Sequence, residues 1–427
     1  MNNNTYLHRL NISPETAEFI AKTEKRLAKE FFSIDQVASI NQCKVLDAFH
    51  ACGVSARHFI GSTGYGYGDD GRDTLDRLFA RVFGCEDALV RPQFVSGTHA
   101  LSVCLFGLLR PGDALLSATG KPYDTLIKAI GWDEPCGGSL KEMGVGYKEV
   151  PLKEDGSIDV GGVVDALTES VRVVLLQRSR GYAWRPSFFI WQLKETIDAI
   201  KQKRGDVIVM VDNCYGEFVE TTEPSEAGAD IVVGSLIKNA GGGLAPTGGY
   251  IAGGRECIKR VAVRLTSPGI GREVGCNPSG YLPYYQGLFL APHVVAQSLK
   301  TAVLFAAAFE SLGFDVLPKS KEPRTDIIQA VQLGSAQALI AFCQAIQQAA
   351  PVDAHALPEP WDMPGYSDPV IMAAGTFIQG ASIELSADAP IRAPYTVYFQ
   401  GGLTYEHGRI GAMMAIEKLR KLELVRQ

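Results

Sequence analysis

The sequence predicts an α/β fold, with a large domain built on a mostly parallel sheet and a smaller α+β domain at the C-terminal end. Between residues 88 and 252, short apolar runs alternate with helical patterns, and the run at 207–212 has hardly a polar residue. Strands that are apolar on both faces and separated by helices are typical of a sheet covered on both sides. From about residue 291 strands and helices mix differently, which indicates a second domain.

The N-terminal residues 13–52 are predicted to be helical, because Ser13 and Pro14 form a typical helix start. A second helix is expected at 34–49, and Gly53 ends it. The run at 61–72 is too rich in glycine for a helix or a strand. We therefore expect an N-terminal helical segment at 1–58, a large domain at 59–290 and a small domain at 291–427.

The elements of both domains follow from periodicity. Strands of the large domain are predicted at 88–90, 113–117, 145–150, 171–177, 207–212, 231–233 and 248–252. Its helices are predicted at 74–83, 100–109, from 121, at 160–167 and at 189–201. The small domain is predicted to have helices at 293–312, 336–349 and 409–421, strands at 326–333, 376–385 and 395–399, and an irregular stretch at 351–369.

Composition excludes several classes of protein. The net charge of −6 over 427 residues gives no electrostatic reason to expect a nucleic-acid partner. The N-terminus lacks the pattern of a signal peptide, and we expect no apolar run long enough to span a bilayer. The nine cysteines show no metal-like spacing, so no metal is expected and a reducing, cytoplasmic location is predicted.

Lys238 follows an apolar run at 229–233 and precedes a loop with three consecutive glycines. A lysine at the end of a buried strand can be desolvated, which lowers its pKa and makes the amine nucleophilic. The functional interpretation is a Schiff-base lysine. The alternative is an ordinary exposed lysine at a strand end.

Other candidate residues follow strands of the same predicted sheet, whose carboxyl ends bind ligands in such folds. Asp212 ends the most apolar strand, and Tyr215 comes three residues later. Tyr123 also follows a strand-like stretch. Asp212 could instead be a turn residue.

Ser96, Gly97 and Thr98 precede a predicted helix, where free backbone N–H groups favour an anion. Ordinary helix capping by Ser96 or Thr98 is the alternative. An amine, an anion site, an aromatic ring and a buried acid together are what pyridoxal phosphate requires.

Several motifs combine these residues. They are QFVSGTHA at 93–100, TGKPYDTL at 119–126, QRSRGY at 177–182, VDNCYGE at 211–217, GSLIKN at 234–239 and QGGLTYEH at 400–407. In these motifs the chain resembles the fold-type-I pyridoxal-phosphate enzymes, whose fold is that of the aspartate aminotransferase-like transferases. It is most similar to the methionine gamma-lyase-like group of cystathionine beta-lyase-related, aluminium-resistance proteins. The resemblance runs from about residue 59 to the C-terminus.

The resemblance implies a role for each matching residue. Lys238 bonds the cofactor and moves the Cα proton of the substrate. Asp212 pairs with the pyridine nitrogen, Tyr215 donates to the ring O3′ oxygen, and Tyr123 stacks on the ring. The phosphate is bound by the segment Ser96, Gly97 and Thr98 and by Ser235.

The glycine-rich loop of the family reaches into the neighbouring subunit, and Tyr65 or Tyr67 matches it. The resemblance thus implies a homodimer as the active unit and favours a homotetramer. The family's Tyr-x-Arg tandem is absent, and Tyr65-Gly66-Tyr67 stands there instead. Arg392 is the candidate for the substrate carboxylate, with Arg409 as competitor and a surface role as the alternative.

The predicted function is carbon–sulfur lyase activity, by beta- or gamma-elimination, on an amino acid of the cystathionine, cysteine or methionine class. One alternative is aminotransfer or aldol-type cleavage with the same cofactor. Another is a stress-response protein that kept the fold and the cofactor without turnover. Gamma-elimination also needs a second residue that moves a proton on the substrate side. The candidates for it are Tyr65, Tyr67 and Tyr182.

Overall fold

The structure, a computed structural model, describes residues 4–134, 136–363 and 368–425. These residues divide into two compact units. One unit contains residues 40–181 and 185–291, and the other contains 1–39, 182–184 and 292–427. The N-terminal 39 residues thus group with the C-terminal residues, and the chain passes between the units after residue 291.

The larger unit has a seven-stranded sheet in the order β1-β7-β6-β5-β4-β2-β3. Neighbouring strands are parallel from β3 through β6, and β7 is antiparallel to both β6 and β1. The strands are β1 Asp87–Arg91, β2 Ala114–Ser117, β3 Gly146–Glu149, β4 Val171–Gln177, β5 Ile208–Asp212, β6 Ile231–Ser235 and β7 Gly249–Gly253. The predicted α/β class with a mostly parallel sheet is confirmed.

Helices that cover this sheet bury its apolar faces. They are α4 Asp70–Val82, α5 Gly97–Leu108, α6 Asp124–Ile130, α7 Val160–Asp165, α8 Ile190–Lys203 and α9 Arg255–Leu265. Leu101 and Leu105 of α5 lie in one buried cluster with Leu175 of β4 and Val233 of β6. Because both faces of the sheet are covered, we expect a ligand to bind at the ends of its strands.

The other unit has a five-stranded antiparallel sheet in the order β10-β11-β12-β9-β8. The strands are β8 Asp315–Leu317, β9 Gln329–Gln332, β10 Val370–Ala373, β11 Ser386–Pro390 and β12 Thr396–Gln400. Phe399 of β12 stacks on Phe305 with ring centroids 3.8 Å apart. Helices of this unit are α1 Asn4–Arg9, α2 Pro14–Lys25, α11 Ala336–Ala349 and α12 Tyr405–Lys421. The smaller α+β part is therefore also present.

Two long helices belong partly to each unit. They are α3 Ala28–Ala51 and α10 Leu282–Ser311. By length and composition α10 could cross a membrane, contrary to the expectation that the sequence has no such run. However, 72% of its most apolar stretch is buried inside the protein, as in the core helix of a soluble protein.

Several boundaries differ from the predictions for local reasons. Helix α4 begins at Asp70 rather than at 74, because the Asp69 carboxylate accepts a hydrogen bond from the Arg72 N–H at 2.9 Å and caps it. The strand predicted at 376–385 is wrong. That segment loops around the buried Glu384 carboxylate, which accepts the N–H groups of Phe377 and Ile378 at 2.9 Å. Helix α9 and strands β8, β10 and β11 were not predicted at all.

Candidate active site

The carboxyl ends of three adjacent parallel strands place polar side chains at one edge of the sheet. Gln177, the last residue of β4, pairs with Asp212, the last residue of β5. Ser235 ends the next strand, β6, and Lys238 follows it by three residues. The edge was predicted from the apolar runs, and the structure brings Asp212 and Lys238 together there.

Lys238 lies in a tight turn and is half-buried. Its Nζ atom lies 4.0 Å from the centroid of the Tyr215 ring, which is a cation–π contact. Tyr215 has a positive φ of 73°, in the left-handed region that side chains other than glycine rarely adopt. The backbone therefore turns this ring toward the amine at some cost in conformational energy.

The pKa of Lys238 differs from the sequence-based expectation. Burial by itself lowers the pKa of this ammonium, as expected, but the acidic surroundings, with the Asp212 carboxylate among them, raise it by more. The net result is a pKa well above the ordinary value. The sequence predicted that burial would lower the pKa of Lys238 and so favour the free amine. For the protein without cofactor this prediction is wrong, because the residues that bury Lys238 include acids.

Asp212 is buried, and its Oδ1 atom accepts the Cys214 N–H at 3.1 Å. Burial raises the pKa of Asp212, while the nearby ammonium of Lys238 lowers it. The pKa of the Cys214 thiol is raised by burial and by Asp212. At neutral pH the thiol is thus uncharged, and Asp212 is the acid that can balance Lys238.

The segment Ser96, Gly97 and Thr98 lies at the start of α5. The Ser96 hydroxyl accepts the His99 N–H at 3.0 Å, so its side chain caps the helix, as the alternative interpretation held. A Cβ atom on Gly97 would lie 3.3 Å from Ser235 Cβ and 3.6 Å from Cys214 Sγ. The helix start therefore lies directly against the end of β6.

Two hydroxyl groups join the helix start to the aromatic candidate. Thr98 Oγ1 lies 3.0 Å from the Tyr123 hydroxyl, and the backbone N–H of Tyr123 donates to Gln177 Oε1 at 3.1 Å. Burial and the charge of Asp212 raise the pKa of Tyr123 far above its ordinary range, so this phenol stays protonated. Ser235 Oγ is buried and has no hydrogen-bond partner among the described residues.

Three predicted residues are not part of this cluster. Tyr65 and Tyr67 are 72% and 67% exposed, and their rings contact each other with centroids 5.5 Å apart. Arg392 belongs to the other unit, where its Nη1 pairs with Asp368 Oδ2 at 3.0 Å. Its competitor Arg409 pairs with Glu24 in that unit, with Nε 3.0 Å from Oε2.

Sequence reasoning missed a buried charged group next to the site. Arg178 is fully buried, and its Nη1 donates to Asn213 Oδ1 at 2.7 Å and to the Gly216 carbonyl at 2.9 Å. It thereby holds the turn between Asp212 and Glu217. A charged residue directly after an apolar strand was the available signal, and Arg178 follows β4 in that way.

No group of three His, Cys, Asp or Glu side chains that could hold a metal ion occurs in the parts of the chain that the structure describes. The cluster at the strand ends consists of an amine, a buried carboxylate, two phenols and several hydroxyls.

Comparison with known proteins places the chain in a family. The family model for methionine gamma-lyase matches residues 16–420. The chain is 54% identical over 393 residues to the uncharacterized protein YnbB of Bacillus subtilis, covering 92% of this chain and 93% of that protein. It is also similar to a carbon-sulfur lyase involved in aluminum resistance from Clostridium novyi. That structure has a TM-score of 0.94 and 49% identity, and the match covers 98% of this chain and all of the other.

A more distant structure shares the fold alone. The pyridoxal-5′-phosphate dependent protein YhfS from Escherichia coli has a TM-score of 0.59 and 17% identity, with 91% of this chain and 97% of that chain covered. The match of the family model over nearly the whole chain decides the assignment. This chain belongs to the methionine gamma-lyase family.

Proposed function

We propose that this protein is a pyridoxal-phosphate-dependent carbon–sulfur lyase that eliminates a sulfur-bearing group from an amino acid. The observation that carries the proposal is the cluster at the strand ends. An amine, Lys238, lies among Asp212, Tyr215 and Tyr123, beside a buried hydroxyl of Ser235 that has no partner in the described residues. A buried polar group without a partner is uncommon and suggests a ligand there.

The residues of the cluster fit the groups of the cofactor. Lys238 supplies the amine that holds its aldehyde, and the Asp212 carboxylate suits a protonated ring nitrogen. The start of α5 offers backbone N–H groups to a phosphate, and the hydroxyls of Thr98 and Ser235 lie beside it. Tyr123 offers an aromatic face.

When bound, the cofactor supplies a ring that accepts electrons from the substrate Cα. The Lys238 amine takes the Cα proton as general base. In beta-elimination the C–S bond would then break, and the proton that Lys238 had taken from Cα would pass to the sulfur, which leaves as a thiol. Water converts the remaining product to a keto acid and ammonia. The carboxylate of the substrate requires a guanidinium, for which Arg392 stays our candidate over Arg409, because Arg392 is the more exposed of the two.

Tyr65 and Tyr67 support a homodimer as the active unit. Two large aromatic rings that are mostly exposed on one loop are unusual for a monomer, and a partner subunit would cover them. Sedimentation of the purified protein tests this: a dimer or tetramer is expected, and a monomer at all concentrations would remove this part of the proposal.

The test of the proposed function begins with the cofactor. Protein mixed with pyridoxal phosphate should gain a visible absorption band, and Lys238→Ala should lack it. Protein that stays colourless with added cofactor would overturn the proposal.

The reaction is then assayed with cystathionine, cysteine and methionine in the absence of any keto acid. Formation of pyruvate or 2-oxobutyrate with ammonia is expected. A strict requirement for an added keto acid would instead identify an aminotransferase, and a coloured protein without any product would identify a non-catalytic cofactor protein.

A further inference from the structure

A buried carboxyl group lies behind the strand that leads to Lys238. Glu217 is fully buried, and its Oε1 atom accepts the hydroxyl of Tyr250 at 2.9 Å. Its Oε2 atom has no hydrogen-bond partner among the residues that the structure describes. The Glu217 carbonyl accepts the side-chain amide of Asn239, the residue after Lys238, at 3.0 Å. The side chain of Glu217 thus contacts Tyr250 of β7, and its main-chain carbonyl contacts the turn that carries the amine.

The strand itself fits closely over this carboxyl. Gly234 of β6 pairs with Tyr250 of β7, and a Cβ atom on Gly234 would lie 2.5 Å from Glu217 Oε1. The ring of Tyr250 is in turn held by Phe83, with centroids 4.8 Å apart. The strand that ends three residues before Lys238 therefore packs directly against the Glu217 carboxyl group.

No cation forms an ion pair with Glu217 in the part of the chain that the structure describes. Burial raises the pKa of Glu217 to about 8, Glu223 and Tyr250 face it, and the charge of Lys238 lowers the pKa only in part. The thiol of Cys214 also faces it. Burial of a carboxyl without an ion-pair partner favours its neutral form, because the anion would be poorly solvated.

We propose that Glu217 is a positioning residue that stays protonated at neutral pH. Its carboxyl group, bonded to Tyr250 and packed against Gly234, supports the strand that leads to Lys238 without adding a negative charge beside the amine. When Glu217 loses its proton at higher pH, the new charge stabilises the Lys238 ammonium and holds back the free amine. This inference assumes the role proposed for Lys238, but its tests use the protein without cofactor.

The first test compares Glu217→Gln with the unchanged protein. Glutamine keeps an oxygen acceptor for Tyr250 and removes the ionisation. The pH profile for acylation of Lys238, followed by mass spectrometry of its peptide, should shift to lower pH in the variant. The matched control is Glu384→Gln, because Glu384 is also buried and accepts the N–H groups of Phe377 and Ile378 at 2.9 Å, but belongs to the other unit. In that control the Lys238 profile should stay in place.

The second test measures stability against pH. The folded protein prefers the protonated acid, so its stability from Glu217 is full below the ordinary pKa and is lost as pH rises toward about 8. The unfolding midpoint of Glu217→Gln relative to the unchanged protein should therefore rise over that range and become constant above it. A purely structural role would give a difference that does not depend on pH and an unshifted Lys238 profile, which would overturn the inference.

A third measurement needs no variant. Infrared spectra of the unchanged protein should show the C=O stretch of a protonated carboxylic acid at neutral pH, with its loss as pH passes about 8. Absence of that band at neutral pH would also overturn the inference. Failure to bind cofactor would defeat the proposed function but would leave all three results for Glu217 unaffected.

Discussion

The unpartnered hydroxyl of Ser235 predicts that Ser235→Ala changes apoprotein stability and cofactor affinity in opposite directions. In the protein without cofactor, Ser235 Oγ is buried and makes no hydrogen bond with the described residues. Burying such a group costs roughly 1–3 kcal/mol, so Ser235→Ala should leave the apoprotein as stable or make it more stable by up to about that amount. The same hydroxyl is free to donate to a phosphate oxygen.

A hydrogen bond to a charged group contributes roughly 1.5–3 kcal/mol, which corresponds to about a ten- to hundredfold change in affinity. Ser235→Ala should therefore weaken pyridoxal-phosphate binding by about that factor, measured by titration of the apoprotein. Thermal unfolding of the same apoprotein measures the change in its stability.

Ser382 provides the matched control. Its Oγ atom is also buried without a partner in the described part of the chain, but it belongs to the other unit. Ser382→Ala should show the same change in apoprotein stability and unchanged cofactor affinity. The reasoning fails if Ser235→Ala lowers apoprotein stability while cofactor affinity stays the same, because the hydroxyl would then be serving the fold alone.

Two further substitutions probe the support of the site. Gly234→Ala places a Cβ atom 2.4 Å from Tyr250 Cε1, and this overpacking should cost about 1–3 kcal/mol in the free energy of unfolding; an unchanged denaturation midpoint would contradict the close fit. Arg178→Met removes the buried guanidinium that pairs with Glu220 and Glu223, at N–O distances of 2.7 and 3.9 Å, and should cost about 3–5 kcal/mol. Chemical denaturation measures it, and a loss that Glu223→Gln relieves in the double variant would identify the unpaired charge as the cause.

Sequence reasoning located the site but not its electrostatics. Asp212 and Lys238 could be predicted because each follows an apolar run, and the rule that parallel strands end at one edge depends only on local pattern. The pKa of Lys238 could not be predicted in the same way. It depends on which acids from other segments, such as Asp212, converge on the amine.

The same distinction explains the errors of the fold. The segment at 376–385 has strand-like alternation, but Glu384 draws its amides into a loop by hydrogen bonds that no local pattern encodes. Glu217 was part of a quoted motif, yet its contact with Tyr250 requires the register of β6 against β7. Arg392 was preferred to Arg409 from the sequence, but no local pattern predicts that they pair with Asp368 and Glu24.

The left-handed backbone at Tyr215 has a consequence for engineering. A tyrosine at φ 73° costs about 1–2 kcal/mol that glycine would not, so a search for thermostable variants should repeatedly select glycine at this position. Each such variant would lose the ring that contacts Lys238. Selection for heat resistance alone would therefore tend to inactivate the proposed enzyme here, and a library screened for both traits should keep the tyrosine.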